Sequence, residues 1–495
     1  MFVVVILVLS IVLAFPAPLY RWVTDTPAVV AWAVAATLVP VAVAALAARQ
    51  ALRRLERFPE DPNRGQSVLT HGMRAVHGTL AIGQSGLLLC TNWLLLVART
   101  PVVGDWPVIP ALLAISPFLV SALLVWVVSY PADRAVRQIA LEAFLFRGRP
   151  VQPVWSLRQY VINNVRHQIL FILIPMLLIV AARDVIVIYE EPLRRFSGHP
   201  YTADLLLGAA AALVALIAPE ILRYVWSTRR LPDGPLRDRL TQVCRKLRIR
   251  YREILVWRAG GGVVNAAVMG VVAPLRYILI TDGMLEQLDD AKIEAVFGHE
   301  AGHVKRHHIF FFLLFAVITG CLVTLFSIHS RHMNSREQQM VGTLLAVALL
   351  FKWSVVFTWI SRRFERQADM FGARVLALCG LPCVQPCELH RPEHSNPGPD
   401  PLGDALCSTA ANVFSNTLNE VAVLNGMPPE GRSWRHGSIS SRSRTLLRLA
   451  ADPAAVASAE RTVARIKIVI TVVAVICTAW AGWELKLWEL LKHWG

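Results

Sequence analysis

His299, Glu300 and His303 form an HExxH pattern. Residues four apart share one face of a helix, so both imidazoles can reach one Zn2+. Glu300 is then placed to activate the water that attacks a substrate. The bland reading of the same residues is a solvated helix face. Against it, the preceding residues Ile293, Val296 and Phe297 are apolar at helical spacing. A hydrolytic zinc needs a third protein ligand and one open position. Glu365 is the best candidate for that ligand. Asp369 lies four residues further on, shares its face, and can hold the free nitrogen of a liganding histidine. Alone, such an ExxxD pair is usually a charged helix face. Its place in the chain gives it weight: apolar runs at 309–328 and 341–360 form a hairpin between it and the HExxH, so the chain returns to the side it left.

Several elements must position these side chains. A turn signal at Pro232-Asp233-Gly234-Pro235 precedes a basic amphipathic helix reaching about Arg248. Short β-type runs follow at 253–257, 263–269 and 276–281. Asp289 or Asp290 can cap a helix through 292–308 that carries the HExxH. A helix over 362–378 carries Glu365 and Asp369. Residues 380–403 read as a Pro- and Gly-rich loop, and another helix lies near 409–424.

The rest of the chain is membrane-like. Of its 495 residues, 55% are hydrophobic and 17% charged, and the mean hydropathy is +0.49. A soluble globule carries about 25% charged residues. Eight scattered cysteines exclude a disulfide scaffold. Nine runs are long enough to span a bilayer: 2–19, 28–48, 80–98, 108–130, 167–189, 203–226, 309–328, 341–360 and 466–483. Arginines crowd loops 49–79 and 131–166, which the positive-inside rule places in the cytoplasm together with 227–308 and 361–465. The net charge of +16 therefore marks cytoplasmic loops, and no nucleic-acid partner is expected, since no basic run is interleaved with stacking aromatics.

With these residues in view, the chain resembles a known family. The blocks LITDGMLEQLDDAKIEAVFGHEAGHVKRHH and SRRFERQADMFGA look like the two signatures of integral-membrane gluzincins, which include the CaaX prenyl endopeptidases and the bacterial heat-shock-induced membrane protease. The resemblance covers roughly 230–310 and 361–450. It implies one Zn2+ per chain on His299, His303 and Glu365, with Glu300 as general base and Asp369 behind the metal. It also implies that Asn265 and Ala266 lie on a strand pairing with the substrate backbone. His436-Gly437-Ser438-Ile439-Ser440-Ser441-Arg442 resembles the family's His-Pro-Ser-x-x-x-Arg block, with Gly437 in place of Pro. By that resemblance, His436 and Arg442 stabilise the tetrahedral oxyanion or its surroundings. Six spans precede the catalytic block, more than in the better-known branches.

Other signals carry less. Cys379, Cys383 and Cys387 with His390 and His394 lack the spacing of a zinc knuckle. His307 and His308 read as helix C-terminal cations. Arg183 and Asp184 lie inside a span and are either functional or a helix interruption. Asn396-Pro397-Gly398 superficially matches the second motif of site-2 proteases but sits in a loop.

The expectation is a mainly α polytopic membrane protein with a zincin-like catalytic domain, an active-site helix plus a small β-sheet. Its parts are 1–226, an N-terminal membrane region of about six spans; 227–308, a cytoplasmic part with the HExxH helix; 309–360, a transmembrane hairpin; 361–464, the part with the third ligand; and 465–495, a last span and interfacial tail. The expected function is a zinc metalloendopeptidase acting on membrane-associated proteins, misfolded membrane proteins or lipidated peptides. The competing class is a non-catalytic scaffold or transporter with a structural zinc. The abundance of Arg over Lys favours a bacterial plasma membrane with a cytoplasmic active site, with the endoplasmic reticulum as the alternative.

Overall fold

A computed structural model describes residues 23–58, 62–100, 106–146, 154–260, 263–379, 405–425 and 437–489, with isolated positions between 381 and 431. The expected span at 2–19, His436, Cys387, His390, His394 and the 396–398 motif lie outside the described residues. The chain is mainly α-helical and divides into two compact units.

The first unit contains α1 (Thr26–Arg57), α2 (Pro62–Cys90), α3 (Trp93–Ala98), α4 (Ile109–Phe146), α5 (Leu157–Ile188) and α6 (Glu190–Ser197). Helices α1 and α2 meet along small residues. A Cβ at Gly72 would lie 2.2 Å from the Cβ of Ala47, and one at Gly83 would lie 3.3 Å from Ala36. Helices without a water-driven hydrophobic force between them pack by such close backbone approach. The expected span 80–98 is not one helix. Thr91 bonds back to the Leu87 carbonyl at 2.6 Å and accepts from the Trp93 amide at 3.1 Å, so α2 stops and α3 starts anew. Helix α5 runs on through Arg183 and Asp184, with a π turn at Val165–Leu170. The Asp184 carboxylate accepts from the Val108 amide at 2.9 Å. The pair therefore anchors a neighbouring loop rather than interrupting its helix.

Helix α7 (Thr202–Val225) leads towards the second unit, whose core is a sheet and the helices on it. The strands are β1 (Thr228–Arg230), β2 (Glu253–Trp257), β3 (Ala266–Met269) and β4 (Tyr277–Thr281). Their order is β1-β2-β4-β3, with β2 and β4 parallel and both outer strands antiparallel to their neighbours. Strands β2 and β4 read EILVW and YILIT, continuous apolar runs with little alternation, as central strands covered on both faces require. Strand β1 was not expected from the sequence.

Helices α8 (Pro235–Lys246), α9 (Asp282–Gln287), α10 (Asp290–Lys305) and α13 (Ser408–Leu424) contribute to the core around this sheet, and α14 (Ile439–Ala450) packs in a second core with α13. Three long helices complete the series: α11 (His308–Ser330), α12 (Ser335–Leu378, with a π turn at Lys352–Val356) and α15 (Pro453–Glu484). Asp289 caps α10, accepting from the Lys292 amide at 3.0 Å. Leu240, Val243, Ile254, Ile278, Ile280, Ile293, Phe297, Phe371 and Val375 share one buried core. Among the described residues, seven helices are long and apolar enough to cross a membrane: α1, α4, α5, α7, α11, α12 and α15.

Candidate metal centre

Glycines bring the two motif helices together. A Cβ at Gly298 would lie 2.9 Å from the Cβ of Val375, and one at Gly302 would lie 3.0 Å from the Cβ of Phe371. From the other side, a Cβ at Gly372 would meet the His299 amide nitrogen at 3.1 Å and the Phe414 ring at 2.5 Å. Helices α10 and α12 can therefore interlock only where side chains are missing. Each missing side chain sits within a turn of His299, His303 or Asp369.

That approach gathers His299, His303 and Glu365. His299 Nε2 lies 3.3 Å from His303 Nε2 and 3.6 Å from Glu365 Oε2, and His303 Nε2 lies 3.7 Å from Glu365 Oε1. Ligands at 2.0–2.1 Å around a tetrahedral Zn2+ stand about 3.3 Å apart. The three atoms thus fit a zinc-sized cation, and the donor set, two imidazoles and a carboxylate, is that of a hydrolytic zinc site. All three side chains are about nine-tenths buried. Packing nitrogen and carboxylate lone pairs this closely out of water is costly without a shared cation.

Asp369 lies where the pattern requires it, with Oδ1 2.9 Å from His299 Nδ1. Arg442 forks onto the same carboxylate, Nη2 to Oδ1 at 2.6 Å and Nε to Oδ2 at 3.0 Å, and stands 3.6 Å from Glu365. Burial lowers the affinity of the Arg442 guanidinium for its proton, but Asp369 outweighs this and holds it above its ordinary value. His299 follows the same pattern: burial disfavours its charged form, yet Asp369 raises it. The site as assembled draws positive charge. Arg442 sits on α14, capped by Ser438 accepting from the Ser441 amide at 3.2 Å. Sequence reasoning left this segment without a helix, because its opening run Ser440-Ser441-Arg442-Ser443-Arg444 carries no apolar residue.

Glu300 is half-buried, next to the first ligand on α10. Asn265 is exposed and Ala266 opens β3, which pairs with β4 on one side and is an edge strand among the described residues. Thr281 Oγ1 accepts from the Asn265 amide at 2.9 Å. The side chain of Asn425 clamps the preceding residue, accepting from the Val264 amide at 3.0 Å and donating to its carbonyl at 2.8 Å. Nothing in the sequence pointed to Asn425.

His307 and His308 depart from the expected helix terminus. Helix α10 ends at Lys305, His307 is left-handed at φ 56°, and His308 starts α11 fully buried. The turn aims His308 back at the site, with its Nδ1 3.0 Å from His303 Nδ1. Of the cysteines near the loop, Cys383 and Cys407 have sulfurs 3.6 Å apart.

Residues 231–402 match the family model Peptidase family M48. Among curated proteins, the chain is 25% identical to the Protease HtpX homolog of Archaeoglobus fulgidus over 166 residues, covering 33% of this chain and 48% of that protein. It is 29% identical to the Protease HtpX homolog of Pyrobaculum islandicum, covering 41% and 62%. Against the Protease HtpX of Haemophilus influenzae the identity is 22%, covering 38% and 74%. The chain spans about half the length of the first curated relatives it matches. Among solved structures it is similar to the one titled Crystal Structure of S. mikatae Ste24p, with a TM-score of 0.47 and 14% identity over 84% of this chain and 99% of that one. The matched domain and the HtpX relatives support a membrane gluzincin protease family for residues 231–402, and His299, His303, Glu365 and Asp369 all lie inside that Peptidase family M48 match.

Proposed function

We propose that the chain is a zinc-dependent integral-membrane endopeptidase, with one Zn2+ on His299, His303 and Glu365. The convergence of their three ligating atoms to within 3.3–3.7 Å carries this reading. When bound, the ion supplies Lewis acidity, polarising the peptide carbonyl and making water a better nucleophile. Glu300 accepts the proton from the attacking water and returns it to the departing amine. Asp369 holds the His299 ring by its Nδ1. Arg442, bound to Asp369, fixes that carboxylate, a different task from direct contact with the oxyanion. By the family resemblance, contact with the oxyanion would fall to His436, which lies outside the described residues. The substrate lies extended along the edge of β3 beside Asn265, whose own backbone is held by Thr281, and at Ala266, where the outward side of the strand can add another strand.

Substrates are membrane-associated proteins or peptides, by quality control of misfolded membrane proteins or by processing of lipidated peptides. The membrane is a bacterial plasma membrane with the site on the cytoplasmic side. Purified full-length protein in detergent should cleave an unfolded, membrane-tethered model substrate, lose cleavage on chelation, and regain it with added Zn2+. Cleavage that persists after the metal is removed would overturn the assignment.

A further inference from the structure

His303 does not end at His308. The buried His308 ring carries on, its Nε2 2.8 Å from the side-chain oxygen of Gln367 on α12. The Gln367 amide nitrogen donates to Glu460 on α15. Glu460 also receives Arg306 at 2.9 Å and the buried Arg374 at 3.3 Å. Lys467, also on α15, donates to the Arg306 carbonyl at 2.7 Å and faces the Gln367 side-chain oxygen at 3.4 Å. His308, Gln367 and Arg374 are each at least 97% buried.

The chemistry of these groups fixes a direction. An ionised carboxylate only accepts, so Glu460 takes the NH2 end of Gln367. The amide oxygen must then face His308, and the Lys467 ammonium on that same oxygen agrees. A carbonyl oxygen only accepts, so His308 donates through Nε2. A neutral His308 then has its lone pair on Nδ1. His303 must donate to it through its own Nδ1, which leaves the His303 Nε2 lone pair for a metal. Each link is the only one compatible with the link before it.

We propose that His308 and Gln367 are positioning residues that hold His303 in the tautomer and ring orientation a metal ligand needs, and that Glu460 on the last long helix sets the direction of the chain. The proposal rests on the metal reading above. It ties His303 to α15, as Asp369 and Arg442 tie His299 to α14, so each imidazole is oriented by a separate arm. It also gives the C-terminal helix, whose apolar sequence marks it only as a span, a task at the centre.

The test titrates metal-stripped full-length protein in detergent with Co2+, reading its visible d–d bands, for wild type, His308→Leu, Gln367→Met and His308→Asn. His308→Leu should bind Co2+ about 10–100-fold more weakly, the usual cost of removing a partner behind a ligand. Its bands should be displaced, because the His303 ring is no longer held. Gln367→Met should shift both readouts in the same direction. His308→Asn keeps one acceptor and one donor and should recover part of the affinity. A loss of packing alone would lower thermal stability without moving the bands of the folded fraction. Wild-type affinity and bands in both His308→Leu and Gln367→Met would overturn the proposal. Should His308→Leu not fold, Gln367→Met decides alone. Failure of the wild type to bind Co2+ would overturn the metal reading, and this proposal with it, and is distinguishable from the outcome in which only the variants match wild type.

Discussion

At the scale of residues, the division of labour follows from charge and reach. In the proposed zinc site Glu365 would contribute an anionic ligand beside two neutral ones, and two histidines alone hold a catalytic zinc poorly. Glu365→Ala should therefore lose both zinc and activity. Stoichiometric zinc at wild-type affinity in that variant would place the third ligand elsewhere. Asp369 acts only through His299, so Asp369→Ala should weaken zinc binding about 10–100-fold, measured by chelator competition. The clustering of His299 and His303 was legible because a helix imposes a spacing of four on any pair that shares a face. Asp369 was legible for the same reason. His308 was not, although it stands in plain sight next to His307. Its role depends on one left-handed residue that ends α10 and turns the next side chain back, and sequence spacing does not encode that turn. Gln367, Glu460 and Asn425 come from distant segments, and only the packing reveals their partners.

Among elements, the α10–α12 interface decides whether the ligands meet. Gly372 faces both the backbone of His299 and the ring of Phe414. Gly372→Val should cost about 1–3 kcal/mol of stability through overpacking. It should also weaken zinc binding, since the helix carrying His299 must move. A variant with wild-type thermal unfolding and zinc affinity would show that the contact yields freely. The cap of α10 gives a second check. The Asp289 carboxyl is held below its ordinary value: burial works against this, and Lys292 outweighs it. A depressed carboxyl stabilises the fold above its unfolded pKa and ceases to do so as pH falls through the folded one. Asp289→Ala should cost about 1 kcal/mol at neutral pH, with the difference from wild type shrinking as the carboxyl is protonated. Unfolding measured from neutral pH down to pH 3 checks the sign. The two central strands were legible within a residue because buried β runs are apolar throughout. Strand β1 was not, since three residues reading TRR carry no strand pattern. Helix α2 was misjudged because the run 80–98 is apolar on both sides of a break made by one threonine hydroxyl.

For the whole molecule, the apolar runs alone exposed a polytopic membrane protein, and most coincide with long helices. The site lies close to those helices along the chain. Only four residues lie between His303 and His308, the start of α11. Glu365 stands on the same unbroken helix as the apolar run that ends at Ile360. Cleavage should therefore fall in juxtamembrane segments or in segments drawn out of the bilayer. A cysteine placed at the partly exposed Lys305, rather than at the buried Ala301, in an otherwise cysteine-free chain should react only from the cytoplasmic side. Labelling by an impermeant reagent added outside intact cells would invert the proposed topology. The most direct test of the central claim measures zinc content and cleavage of a membrane-tethered substrate on the same preparations of wild type and Glu300→Gln. Glu300 is assigned to the proton and not to the metal, so one zinc per chain is expected in both proteins and cleavage in the wild type alone. Cleavage at the wild-type rate by Glu300→Gln, or a wild-type protein that cleaves without zinc, would contradict it.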